Sequence, residues 1–246
     1  MRDVTTIPPV RADRRIAYGD DENQFIDLYE SSTDGFSATI MMIHGGFWRA
    51  KYSLEHASHL CAALAKDGMN VANVEYRRVG NAGGGWPETF HDVLNAHAAI
   101  RTLFPDSPII ACGHSAGGHL ALRLGCEEIG LNGVVALAPV AMLREAYQLH
   151  LSDDAVAEFM GGTPDERPDE YDEASPSKHA LTSPAILIHG ADDDVVPISQ
   201  SQDYFRLRRN ELAHFLELPG TGHMELIDPE APAFISVSAA ITDLLR

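Results

Sequence analysis

A chain of 246 residues, 45% hydrophobic and 22% charged, is long enough for one hydrophobic core and too ordinary in composition for a disordered or fibrous protein. Its 36 acidic and 18 basic residues leave a net charge of -18, a field that repels phosphate backbones and anionic headgroups. That argues against nucleic acid and against a membrane surface as partner.

Cys61, Cys112 and Cys126 are odd in number, lack metal-ligand spacing and lie in apolar stretches, as free thiols in a reducing compartment do. The stretch MRDVTTIPPVRADRR has no apolar leader core, and no run reaches the roughly eighteen apolar residues of a membrane helix. The expectation is therefore a cytoplasmic protein; self-association is left open.

In chain order, β-rich runs at 25–29, 39–44, 71–76, 109–113, 134–138, 186–189 and 215–218 alternate with helical periodicity over 54–66, 89–104, 116–126, 199–210 and 233–245. This alternation predicts an α/β protein, a mostly parallel sheet flanked by helices, as a single domain over 1–246. Several strands are apolar throughout, as strands covered on both faces should be. The segment 143–183 breaks the rhythm: it is acidic and proline-punctuated, with one helical run near 153–160. A structureless loop of that length is uncommon in a compact domain and usually functional, so a small helical cap insertion over the active site is expected there.

The chemistry begins at Gly113-His114-Ser115-Ala116-Gly117, a G-x-S-x-G run directly after one strand and directly before a helix. A serine at so sharp a turn needs small neighbours and projects its hydroxyl above the sheet, which makes Ser115 the candidate nucleophile. The following helix aims free N–H groups at the place where an oxyanion would form. An earlier strand ends in His44-Gly45-Gly46-Phe47-Trp48, and glycines there let backbone amides turn inward. Candidate oxyanion donors are Ala116 together with one or two of Gly45, Gly46 and Phe47; His44 is read as a brace for the loop. Phe47 and Trp48 are candidate walls for an acyl or aryl group, or packing that anchors the loop. Trp86, after three glycines, is a candidate for another side of that pocket, with a surface loop as the equal alternative.

A serine hydroxyl is a poor nucleophile without a general base. Among 12 histidines, His223 stands out: it follows Gly220-Thr221-Gly222 at the carboxyl end of a strand, where ligand sites of open α/β sheets form. The orienting acid comes from Asp192-Asp193-Asp194, which follow the strand at 186–189; the spacing leaves all three open.

These motifs resemble those of the α/β-hydrolase superfamily, over nearly the whole chain from about Asp27 to Leu245. The HGG loop followed by GHSAGG is similar to that of hormone-sensitive-lipase-like esterases, and HGGFW resembles the loop of the kynurenine formamidases. Glu75-Tyr76-Arg77-Arg78 and Trp86-Pro87 are similar to a strand end and an aromatic-proline pair of the esterases. The superfamily pattern H-G-x-x-D-x-x-V-P selects Asp193, ahead of Asp194 and then Asp192. Phe47 departs from the usual fourth glycine of HGGG, which bears on the donor set. The resemblance implies an α/β-hydrolase fold and a serine hydrolase with no cofactor and no metal, its substrate a small-molecule carboxylic ester. An arylformamidase using the same residues is the alternative. A non-catalytic ligand-binding relative is the third reading, disfavoured because no triad member is missing.

Overall fold

The computed structural model describes residues 4–31, 38–210 and 214–246. Its centre is an eight-stranded sheet in the order β1-β2-β4-β3-β5-β6-β7-β8. The strands are β1 (Arg14–Ala17), β2 (Phe25–Tyr29), β3 (Thr39–Ile43), β4 (Asn70–Val74), β5 (Ile109–His114), β6 (Gly133–Leu137), β7 (Ala185–Gly190) and β8 (His214–Leu218). β1 and β2 are antiparallel to their neighbours, and all pairs from β4 to β8 are parallel. β1 escaped the sequence reading because RRIA is an edge strand with mostly exposed side chains, and so carries no apolar alternation.

Alternate residues of each central strand enter opposite layers. Met41 and Ile43 of β3, with Ile109 and Ala111 of β5, face α2 (Glu88–Leu103), α3 (Ala116–Leu124) and α7 (Ser199–Arg208). Ile40, Met42, Ile110 and Cys112 face α1 (Ser58–Lys66) and α8 (Ala233–Asp243). Both layers exclude water from the strands, and each fully buried aliphatic side chain contributes roughly 1.5–3 kcal/mol. The region 143–183 carries three short helices, α4 (Leu143–Gln148), α5 (Ala155–Met160) and α6 (Pro168–Ala174), where the sequence reading had one helical run. No helix among the described residues is long and apolar enough to cross a membrane.

The chain passes from β3 to β4 on one side, then crosses β3 to place β5 on its other side. The loops after β3 and β5 therefore leave the sheet in opposite directions, and the crevice at such a switch point is where open α/β sheets bind ligands. The register pairs Ile43 with Gly113, so His44 and Gly45 come level with His114 and Ser115.

Candidate active site

Ser115 lies between β5 and α3 with φ 58° and ψ -119°, a left-handed geometry that a non-glycine residue holds only where the surroundings enforce it. Its amide donates to the Leu137 carbonyl at 2.8 Å, which pins the turn to β6. The loop after β3 passes close by: a Cβ on Gly45 would stand 3.0 Å from that of Ser115. Only glycine lets this loop and the serine turn meet.

The candidate acid and base, Asp193 and His223, are brought in by the loops after β7 and β8. A Cβ at Gly190 would strike the Thr221 carbonyl oxygen at 2.2 Å, so the two loops touch backbone to backbone. The Asp192 amide also donates to the Thr221 carbonyl, at 3.0 Å. Of the three adjacent acids, Asp193 meets the histidine: His223 Nδ1 and Asp193 Oδ2 are 2.6 Å apart. Asp192 and Asp194 stay exposed. The amides of Val195 and Val196 donate to Asp193 Oδ1 at 2.9 and 2.8 Å, and His189 Nε2 lies 3.3 Å from Oδ2. Burial opposes ionisation of this carboxylate, yet the donors from His189, His223 and Val196 outweigh it and hold it well below the ordinary range. An ionised Asp193 puts the Nδ1 proton on His223 and leaves Nε2 as the basic nitrogen. His114 holds the base loop, donating Nε2–H to the His223 carbonyl at 3.1 Å, and the two rings lie 4.4 Å apart.

The three peptide planes from His44 to Phe47 are each held by hydrogen bonds. Tyr76 donates its hydroxyl to the His44 carbonyl at 2.7 Å, and the opposite end of that plane, the Gly45 amide, donates to His56 Nε2 at 3.3 Å. His44 Nδ1 donates to the Gly45 carbonyl at 2.8 Å, and the Arg49 amide to the Gly46 carbonyl at 3.0 Å. In a trans peptide the N–H points opposite the C=O. The Gly46 and Phe47 amides therefore face away from these bonds, and among the described residues neither has an intramolecular acceptor. Of the candidate donors, Ala116 with one or two of Gly45, Gly46 and Phe47, Gly45 drops out because its N–H is taken by His56, so the candidates that remain are Gly46, Phe47 and Ala116. Phe47 and Trp48 hold φ of 50° and 55° after Gly46 at 102°. This turn, rather than a further glycine, is how a phenylalanine stands at the fourth position. His44 Nε2 reaches Glu75 Oε1 at 2.8 Å, so both ring nitrogens face oxygen atoms. Burial works against the Glu75 charge, but His44 and Arg78 together keep its carboxyl lowered.

A cavity of about 250 Å³ joins these parts; its wall includes Phe47, His114, Ser115 and His223, closed by Val195 and Met224. Phe47 is on this wall. Trp48 and Trp86 are corrected: neither lines the cavity. Trp48 is fully buried, stacked on Phe159 at 4.5 Å and edge-on to His119. Trp86 stacks on Phe90 and meets the edge of Phe159. The insertion supplies Phe159, so it anchors on these rings, and no residue of 143–183 is on the cavity wall. Thr5, Tyr52, His56, Val195 and Met224 were missed. Only Met224, adjacent to the base, carried a signal in the sequence.

The α/β-hydrolase class defined by this sheet and crevice is shared with solved structures. A structure described as a truncated form of a carbohydrate esterase from gut microbiota matches with a TM-score of 0.80 at 22% identity, covering 97% of this chain and 99% of that one. A family model described as BD-FAE matches residues 26–207, and the chain belongs to that family. Esterase LipC of Mycobacterium tuberculosis is 28% identical over 87% of this chain, which spans only 60% of that protein's length. Kynurenine formamidase avaC of Aspergillus versicolor is 27% identical, covering 70% of this chain and 76% of that protein.

Proposed function

We propose that this protein is a serine hydrolase of small carboxylic esters, working through an acyl-enzyme on Ser115. One observation carries the reading: Ser115 and His223 face the same cavity while Asp193 occupies the other nitrogen of the His223 ring. The Ser115 hydroxyl attacks the ester carbonyl and passes its proton to His223 Nε2. The tetrahedral oxyanion is met by the amides of Gly46, Phe47 and Ala116, donors already fixed before reaction, which is where such sites gain most of their rate. The C–O bond to the alcohol breaks as His223 returns the proton to the leaving oxygen. Water then attacks the acyl-enzyme, giving one proton to His223, and the acid departs as Ser115 is reprotonated. A cavity of about 250 Å³ lies near the small end of ligand sites, which favours short acyl groups. Relatives named as esterases support the same chemistry.

A second reading, an arylformamidase, is favoured by the likeness to kynurenine formamidase avaC and by the HGGFW loop. The same residues would attack a formyl carbonyl and expel an arylamine. Hydrolysis of a short-chain p-nitrophenyl ester beside N-formylkynurenine, with wild type and Ser115→Ala in parallel, separates the two. Ester turnover lost in the variant supports the first reading, and turnover of the formamide alone supports the second. Equal, slow rates for both proteins on both substrates would overturn both.

A further inference from the structure

His56 lies eleven positions beyond Gly45, in a 3-10 turn (Leu54–Ala57), and nothing in the motifs around Ser115 calls for a histidine there. Its ring is on the cavity wall and stands edge-on to His44 at 5.5 Å and to His114 at 6.5 Å. We propose that His56 is the positioning residue of the oxyanion loop: its bare Nε2 accepts the Gly45 N–H and so holds the loop in the one orientation that leaves the Gly46 and Phe47 amides free.

The inference rests on the ester-hydrolase reading for its catalytic consequence, but its geometry is independent of it. The plane joining His44 and Gly45 has two ends. Tyr76 holds the carbonyl end from one side, and His56 receives the amide end on the other. Without an acceptor at position 56, the Gly45 amide has a partner to seek elsewhere, and the nearest strong acceptor in a working site is the substrate oxyanion itself. A plane that turns to offer that amide also moves the Gly45 carbonyl from His44 Nδ1 and re-aims Gly46. Three donors placed for one oxyanion would become a shifting set.

The role needs a neutral ring with its proton on Nδ1, because a protonated Nε2 repels the Gly45 N–H. The surroundings keep the ring neutral: burial pushes His56 down to about 3, and His44 and His223 push the same way against the opposing pull of Glu75; it is the Gly45 N–H, aimed at Nε2, that calls for the proton on Nδ1. The ring is therefore not a second base competing with His223. Its Nε2 is occupied by the loop.

The test compares His56→Leu, which removes the acceptor while keeping an apolar side chain, with His56→Gln, whose Oε1 restores an acceptor at similar reach. A misplaced oxyanion donor costs on the order of 10²-fold in rate. His56→Leu should lose roughly that factor in kcat with KM within about two-fold, and His56→Gln should recover most of the loss. A raised KM with unchanged kcat in His56→Leu would make His56 a wall of the cavity and overturn the proposal, as would equal losses in the two variants. Nitrogen-15 NMR of the wild type is the second measurement, and it needs neither a variant that folds nor a substrate. The expected ring has a bare Nε2 and a protonated Nδ1 at pH 7; a proton on Nε2 overturns the proposal. If no ester is turned over by the wild type, the ester reading falls, and the tautomer still decides the role of His56.

Discussion

Two parts of this molecule stand out from the sheet: the loop from His44 to Trp48 and the helical insertion 143–183. The loop is short, and each of its first peptide planes is held by a named group, Tyr76, His56, His44 Nδ1 or the Arg49 amide. The insertion is long, and what it contributes is packing: Phe159 fills the space between Trp48 and Trp86, and Ala174 receives the His119 Nε2–H at 3.0 Å. Length and composition pointed to the insertion as a working part, whereas bonds per residue point to the loop. Trp48 joins them, with its backbone in the loop and its ring against the insertion. Support for the loop thus comes from below, through an apolar contact, while chemistry is kept on the cavity side.

The largest effect should come from Asp193, the proposed orienting acid. Asp193→Asn should lower kcat by about 10⁴-fold by favouring the wrong tautomer of His223, while Asp194→Asn, exposed and outside the ring's reach, should be nearly silent. Steady-state kinetics of both variants check this, and a silent Asp193→Asn would reverse the choice of acid.

The insertion should answer differently. Phe159→Ala should cost roughly 3–5 kcal/mol, because it empties the contact between two buried tryptophans. In a chain of this length that lowers Tm by on the order of 10 °C. KM for a short ester should stay within about three-fold at a temperature where the variant is folded. A several-fold rise in KM without loss of Tm would turn the insertion into a substrate cap and remove the contrast.

Acid should act on the same junction. Burial pushes His119 down to about 4, so the folded protein keeps it neutral, while the unfolded chain regains the usual value near 6.5. Between those values the unfolded state binds more protons. The stability is therefore complete above about pH 6.5 and is lost as pH falls, by about 1.4 kcal/mol per pH unit for each such histidine at most. His97, lowered to about 4 by its burial and by Arg101, adds to the slope. His119→Gln keeps a donor for Ala174 and should flatten Tm against pH between 6.5 and 4; an unchanged slope would place the acid sensitivity elsewhere.

The smallest effect belongs to the outer tie between the two regions. Arg49 Nε meets Glu158 Oε2 at 2.7 Å, but the glutamate is half exposed. Glu158→Ala should shift stability by less than about 1 kcal/mol and leave kinetics unchanged, measured by denaturant titration.

Legibility in the sequence followed locality. β3 and β5, which lead into the two loops of the site, were readable because they are buried on both faces and mostly apolar. Ser115 and His223 stood at strand ends marked by glycine, where local geometry and chemistry coincide. β1 was hidden by its exposed arginines, and of the three insertion helices only α5 was read from the sequence. Six or seven residues cannot sustain a helix alone; α4 and α6 exist because Leu143, Tyr171 and Ala174 pack on the core. Whether Trp48 and Trp86 face the cavity or the core was left open in the sequence, because a large aromatic near a serine turn reads alike whether its ring faces a cavity or protein.

What the sequence determined by itself is the alternation of the central parallel strands with their flanking helices and the sharp serine turn, since each depends on neighbours a few positions away. The tertiary structure decided which of the candidate loop amides remain free, which rings face the cavity, and that a histidine in a short 3-10 turn would meet the Gly45 amide. These are directional matters. A hydrogen bond depends on where two groups point after the whole chain has packed, and no spacing along the chain encodes that direction.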